Sequence, residues 1–125
     1  MIVAQCTANR VNVAAAFELS RFAHPLLTRH AVSSIVNVGS VSGLTHVRTG
    51  APYGMSKAAL HQLTKNLACE WADSNVRVNT VAPGGIASSG FDTYPDEAKA
   101  KILEFTDVVP LGRFGSESEI SAAIV

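Results

Sequence analysis

The sequence has few cysteines. Cys6 and Cys69 stand far apart with no C-x-x-C spacing, which argues against a disulfide framework and leaves two lone thiols in a reducing compartment. His24, His30, His46 and His61 form neither H-E-x-x-H nor any other ligand spacing, so no metal site is expected. No charge of one sign is in excess: ten basic and ten acidic residues balance, and neither forms a long block. That excludes the basic footprint of a nucleic-acid binder and a polybasic membrane anchor. Apolar runs fall far short of a membrane span. Met1 to Arg10 lacks the charged-then-apolar order of a secretory signal, which makes the cytoplasm the default location. What remains is the composition of a soluble globular protein, 47% hydrophobic and 16% charged, with 125 residues to build one domain around a real core.

From Asn9 to Arg29 the residues Val11, Ala15, Leu19, Phe22 and Leu26 step by three and four, which predicts a helix. Ala14-Ala15-Ala16-Phe17 makes it apolar on more than one side, as in a helix buried between a sheet and another layer. Pro25 should bend it or leave its last turn irregular. Ser34 to Gly39 is nearly continuous in apolar residues and predicts a strand buried on both faces. Val41 to Pro52 reads as loop, Pro52 to Ala72 as a second long helix with proline in its favoured first turn, and Val76 to Ala82 as a second strand. Strand, helix, strand is a parallel crossover, and ligands bind such sheets at the carboxyl ends of the strands. Beyond it, Ala87 to Pro95 reads as loop, Asp96 to Phe105 as a short helix, and Ser116 with Glu119 as a capping box opening one more helix.

The crossover puts three features at one edge of the sheet: Ser40 after the first strand, Pro83-Gly84-Gly85 after the second, and Tyr53 at the start of the intervening helix. Tyr53 and Lys57, four apart, share a helix face, and a cation beside a phenol favours the phenolate. Ser40 lies thirteen positions upstream of Tyr53. A serine, a tyrosine and a lysine so placed suit carbonyl and alcohol redox chemistry. Any one match alone is ordinary: a tyrosine stacked on a lysine stem, a serine capping a loop, a Pro-Gly turn. Ser42 competes with Ser40, and the spacing favours Ser40. Gly39-Ser40-Val41-Ser42-Gly43 is not a hydrolase elbow, since Val41 holds the nucleophile position. Nor is it a phosphate loop, as no G-K-[ST] follows.

Taken together, the runs S-I-V-N-V-G-S-V-S-G, Y-G-M-S-K, N-L-A-C-E-W-A, R-V-N-T-V-A-P-G-G-I and P-L-G-R-F-G resemble the short-chain dehydrogenase/reductase family, and within it the plant tropinone reductase-like group. The resemblance covers the chain from about Asn9 to Val125. It implies an α/β fold, a Rossmann-like parallel sheet with flanking helices, of which residues 1–125 form a single partial domain. It also implies an NAD(P)-dependent oxidoreductase reducing a small ketone to an alcohol, or the reverse. By the resemblance Tyr53 is the general acid, Lys57 supports the phenolate and binds the cofactor ribose, Ser40 holds the substrate oxygen, and Asn12 retains a water in the proton relay. Pro83, Gly84, Ile86 and Ser88 fall where the family meets the nicotinamide. NADP is the implied cofactor, with NAD the alternative, and the two long helices imply homo-oligomerisation.

The chain departs from the pattern in carrying no T-G-x-x-x-G-x-G turn for the pyrophosphate, no N-N-A-G and no last strand. The expected consequences are a truncated sheet with an unpaired edge, uncovered apolar helix faces, and weak or no cofactor binding by this chain alone. Two rival expectations stand beside the enzyme: a catalytically idle relative that pairs with a full-length partner through its long helices, and a piece of a longer chain whose true start is not Met1 to Ala8.

Overall fold

The computed structural model describes residues 7–125; Cys6 and the first residues of the expected signal-free start lie outside them. The chain divides into two compact units, residues 1–82 and 83–125.

In the first unit a π-turn, Arg10–Ala14, runs directly into helix α1, Ala15–Leu27. Pro25 sits inside the last turn of α1, and the helix ends two residues later. Strand β1, Ser33–Val38, pairs in parallel with β2, Val76–Val81, in the register Ser33↔Val76 to Val38↔Val81. Between them runs the 20-residue helix α2, Ala51–Glu70, which opens with Pro52. After α2 a short 3₁₀ turn ends at Asn75, whose φ of 56° places it in the left-handed region that asparagine tolerates.

The core lies where α2 covers one face of the sheet. Leu67, Val76 and Val78 are buried there, flanked by Leu27, Ile35, Leu63, Ala68 and Trp71. A polar network crosses the same interface. Asn37 Nδ2 and Thr80 Oγ1 both donate to Thr64 Oγ1, at 2.9 and 2.7 Å, and Thr64 passes its own hydrogen to the Leu60 carbonyl. Each of the three side chains thus makes at least one hydrogen bond, which is the condition for burying it.

Two burial expectations are corrected. β1 is covered on one face only: Ser34 and Val38 on the other are exposed, Val38 by 47%. The helix expected between two layers presents Val11, Leu19, Phe22 and Leu26 to solvent, each more than half exposed. An apolar stripe requires a cover, but periodicity does not say whether the chain itself provides it.

In the second unit two strands of two residues each, β3 (Ile86–Ala87) and β4 (Gly115–Ser116), pair in parallel. Helix α3, Asp96–Leu103, continues into a 3₁₀ segment, Glu104–Val108. Helix α4, Glu117–Ile124, opens on the expected capping box: Ser116 accepts from the Glu119 N–H, and the Glu119 carboxylate accepts from the Ser116 N–H. Phe114 packs its ring against Gly85, where a Cβ would come within 2.6 Å of the ring, and meets Phe91 edge to face.

Candidate active site

The first unit holds the serine, tyrosine, lysine and asparagine singled out above. Ser40 follows β1 and is 7% exposed. Its hydroxyl oxygen accepts from the Ser42 N–H at 3.1 Å, capping the 3₁₀ turn Val41–Gly43. With the oxygen so engaged as an acceptor, its hydrogen remains free to donate to a ligand. Ser42, the competing hydroxyl, instead accepts from Thr49 Oγ1 at 3.1 Å.

This turn is pressed onto the start of α2. A Cβ on Gly43 would lie 2.6 Å from the backbone of Lys57 and Ala58, so only glycine allows the approach. Tyr53 and Lys57 stand one turn apart on α2, the ammonium 5.7 Å from the ring centroid. Lys57 Nζ donates to the Val38 carbonyl at 2.8 Å, linking the helix to the end of β1. Burial lowers the Lys57 pKa below the usual lysine value.

Asn12 lies within the π-turn and donates its side-chain amide to Ser56 Oγ at 2.9 Å. Ser56, fully buried, passes its hydrogen to the Tyr53 carbonyl at 2.8 Å. The asparagine thus reaches the backbone of Tyr53 through one hydroxyl. Single π-turns inside helices recur at functional sites, because the extra residue re-aims a side chain.

Pro83, Gly84, Ile86 and Ser88 lie in the second unit. Ile86 is in β3, its carbonyl accepting from the Ser88 N–H at 3.0 Å, and Ser88 in turn accepts from the Phe91 N–H at 2.8 Å. Gly84 has open space around it, with nothing within 4 Å of a Cβ built there. At the far end of this unit Glu117 accepts from the Ser89 N–H at 3.1 Å. Glu119 is held by Arg113 in a two-point ion pair of 2.7 and 2.9 Å, which brings its pKa down to about 2.

Reasoning from the sequence passed over Ser56 and His61. Ser56 stands inside the run Y-G-M-S-K, where the tyrosine and lysine drew the attention. His61, one turn beyond Lys57, reads by residue type as a core histidine; its Nε2 lies 2.9 Å from the Ser40 carbonyl oxygen. The signal that could have found it is Gly39 at the strand's end, a missing side chain opposite a bulky ring. Among the described residues no group of three His, Cys, Asp or Glu could hold a metal, and no helix is long and apolar enough to cross a membrane.

Comparison with known proteins places these residues in context. The family model described as Enoyl-(Acyl carrier protein) reductase matches residues 5–125. A tropinone reductase homolog of Arabidopsis thaliana is 47% identical over 113 residues, which is 90% of this chain and 42% of the relative. Senescence-associated protein 13 of the same plant is 42% identical over 113 residues, 90% of this chain and 41% of that protein. The crystal structure of a protein described as a short-chain alcohol dehydrogenase of Sinorhizobium meliloti 1021 superposes with a TM-score of 0.69 at 33% identity, covering 87% of this chain and 43% of that one. The chain therefore spans about two fifths of the length of the relatives it matches.

Proposed function

Because the chain belongs to the short-chain dehydrogenase/reductase family, and within it to the tropinone reductase-like group, we propose that it is the catalytic part of an NAD(P)-dependent oxidoreductase interconverting a small ketone and its alcohol. The observation that carries the reading is the Ser40 turn seated on the first turns of α2. It sets a serine with an uncommitted hydroxyl hydrogen against the helix that carries Tyr53 and Lys57, whose ammonium lies on the Val38 carbonyl and 5.7 Å from the Tyr53 ring.

The donor set fits the ribose end of a nicotinamide cofactor, since a phenol and an ammonium on one helix face can both donate to a diol. Lys57 and Tyr53 would hold that end. When bound, the cofactor supplies or accepts the hydride. In the reducing direction Ser40 donates to the carbonyl oxygen and holds it in place. Tyr53 gives its phenolic proton to that oxygen as negative charge develops on it, and the Lys57 ammonium stabilises the phenolate left behind. Asn12, acting through Ser56, steadies the backbone that carries the phenol.

By likeness to the tropinone reductase-like group, NADP is the favoured cofactor and NAD the alternative. The reading takes residues 1–125 as one partial Rossmann-type domain of a cytoplasmic protein that acts on small molecules and not on nucleic acid or membranes. The exposed Val11, Leu19 and Phe22 support assembly with a second copy through the two long helices.

The test is a fluorescence titration of the chain with NADPH and with NADH, followed by a ketone screen. This chain alone is expected to bind either cofactor weakly or not at all. Joined to a segment that supplies the pyrophosphate turn, it should oxidise the reduced cofactor in a ketone-dependent way, and a Tyr53→Phe variant should lose that activity by roughly 10²–10⁴-fold. A Tyr53→Phe variant as active as the parent would remove the proposed acid.

A further inference from the structure

One buried side chain outside the four assigned residues touches the Ser40 turn directly. His61 is 8% exposed, and its Nε2 lies 2.9 Å from the Ser40 carbonyl oxygen. A carbonyl oxygen can only accept, so Nε2 carries the hydrogen. The same carbonyl also accepts from the Gly43 N–H at 3.0 Å, which occupies both of its lone pairs. Ser40 is therefore gripped at two points: its carbonyl by His61 and Gly43, its hydroxyl oxygen by the Ser42 N–H.

The ring has a slot cut for it. A Cβ on Gly39 would come within 2.6 Å of His61 Cε1, and one on Gly43 within 2.7 Å of His61 Cδ2. Glycines thus stand at both ends of the Ser40 turn where the imidazole needs the space. A ring whose donor is aimed at one carbonyl, in a gap that two side chains have been withheld to make, does more than fill volume.

We propose that His61 is a positioning residue: by holding the Ser40 carbonyl it sets the direction of the Ser40 hydroxyl toward the substrate oxygen. The proposal rests on the oxidoreductase reading for its consequence in catalysis, and on the hydrogen bond alone for its consequence in the turn. A misplacement of about 1 Å in such a donor is enough to slow the chemical step without loosening cofactor binding.

The experiment compares His61→Ala, which removes the donor, with His61→Gln, whose side-chain N–H has a similar reach. Two quantities are read: kcat and KM for ketone reduction, and amide hydrogen exchange at Ser42 and Gly43 relative to Leu67. His61→Ala is expected to lower kcat about tenfold while leaving the cofactor KM within about twofold. It should speed exchange at Ser42 and Gly43 by about tenfold, and His61→Gln should restore most of both. Should the alanine variant not fold, His61→Leu takes its place, keeping apolar bulk without a donor. Equal losses in the glutamine and donor-free variants would overturn the proposal, as would unchanged exchange in the donor-free one. If neither the parent nor any variant reduces a ketone once a segment carrying the pyrophosphate turn is joined to it, the oxidoreductase reading fails, and the exchange measurement still decides whether His61 holds the turn.

Discussion

Asn12 and Ser56, forty-four positions apart, share a 2.9 Å hydrogen bond that ties the π-turn to the start of α2. Ser56 has no exposed surface, and its hydroxyl serves two partners at once, accepting from Asn12 and donating to the Tyr53 carbonyl. A Ser56→Ala substitution takes away the acceptor of the half-buried Asn12 amide, while the Tyr53 carbonyl keeps only its helical hydrogen bond. The expected cost is about 0.5–1.5 kcal/mol of stability. Urea unfolding followed by the fluorescence of Trp71, the single tryptophan, measures it. An unchanged midpoint would show that Asn12 finds another partner.

Gly43→Ala tests the contact between the Ser40 turn and α2. The added methyl would lie 2.6 Å from main-chain atoms of Lys57 and Ala58, which cannot swing aside as a side chain would. We expect a loss of roughly 1–3 kcal/mol. Gly84→Ala, where nothing lies within 4 Å, is the control and should stay within about 1 kcal/mol of the parent.

Leu67 and Leu111 make a second contrast, 3% and 78% exposed. Leu67→Ala opens a hole between α2 and β2 and should cost about 2–5 kcal/mol. Leu111→Ala should change stability by no more than about 0.5 kcal/mol. The same urea titration for Leu67, and a circular-dichroism melt for Leu111, check the pair.

Glu119 carries the pH dependence of the second unit. Its pKa falls from 4.5 to about 2, first because Arg113 donates to the carboxylate, then because the Ser116 N–H does. The folded form therefore binds its proton less readily than the unfolded one. The stabilisation is fully present above about pH 4.5 and fades as the pH drops toward 2. NMR titration of the Glu119 side-chain carboxyl should show a midpoint near 2 in the parent, moving back toward 4.5 in Arg113→Ala. A parent midpoint near 4.5 would mean that the ion pair does not persist in solution.

Much of this architecture could be read from residue order, for identifiable reasons. Pro52 opens α2 and the Ser116–Glu119 box opens α4 because both act within one turn of backbone, where local chemistry decides. β1 and β2 announce themselves by apolar runs, and the crossover between them follows from chain order. Tyr53 and Lys57 share a face for the same local reason. The rest depends on partners distant in the chain. β3 and β4 are two residues each, too short for any period, and exist through their pairing. The π-turn at Arg10–Ala14 looks like ordinary helix in the sequence; its Asn12 finds a partner only after the chain has folded back on itself. The role of His61 depends on Gly39, just past the end of β1, which no pattern within α2 reveals. The burial expected for α1 came from its composition, and composition says only that a surface is apolar, not what lies over it.

Ser33 pairs with Val76, and no residue of β1 meets its neighbour in β2 at a shorter separation. Neither strand can form a hairpin with adjacent chain, so the first unit has no short-range route into its sheet. The whole of α2 must be wound out and laid back before a single rung of the ladder closes. The entropy of closing that long loop is then spent before any strand contact repays it, a condition that slows folding and leaves the strands unpaired while it lasts. Strand pairing in this unit is therefore expected to lag behind helix formation, and folding to be slower than in a sheet built from hairpins.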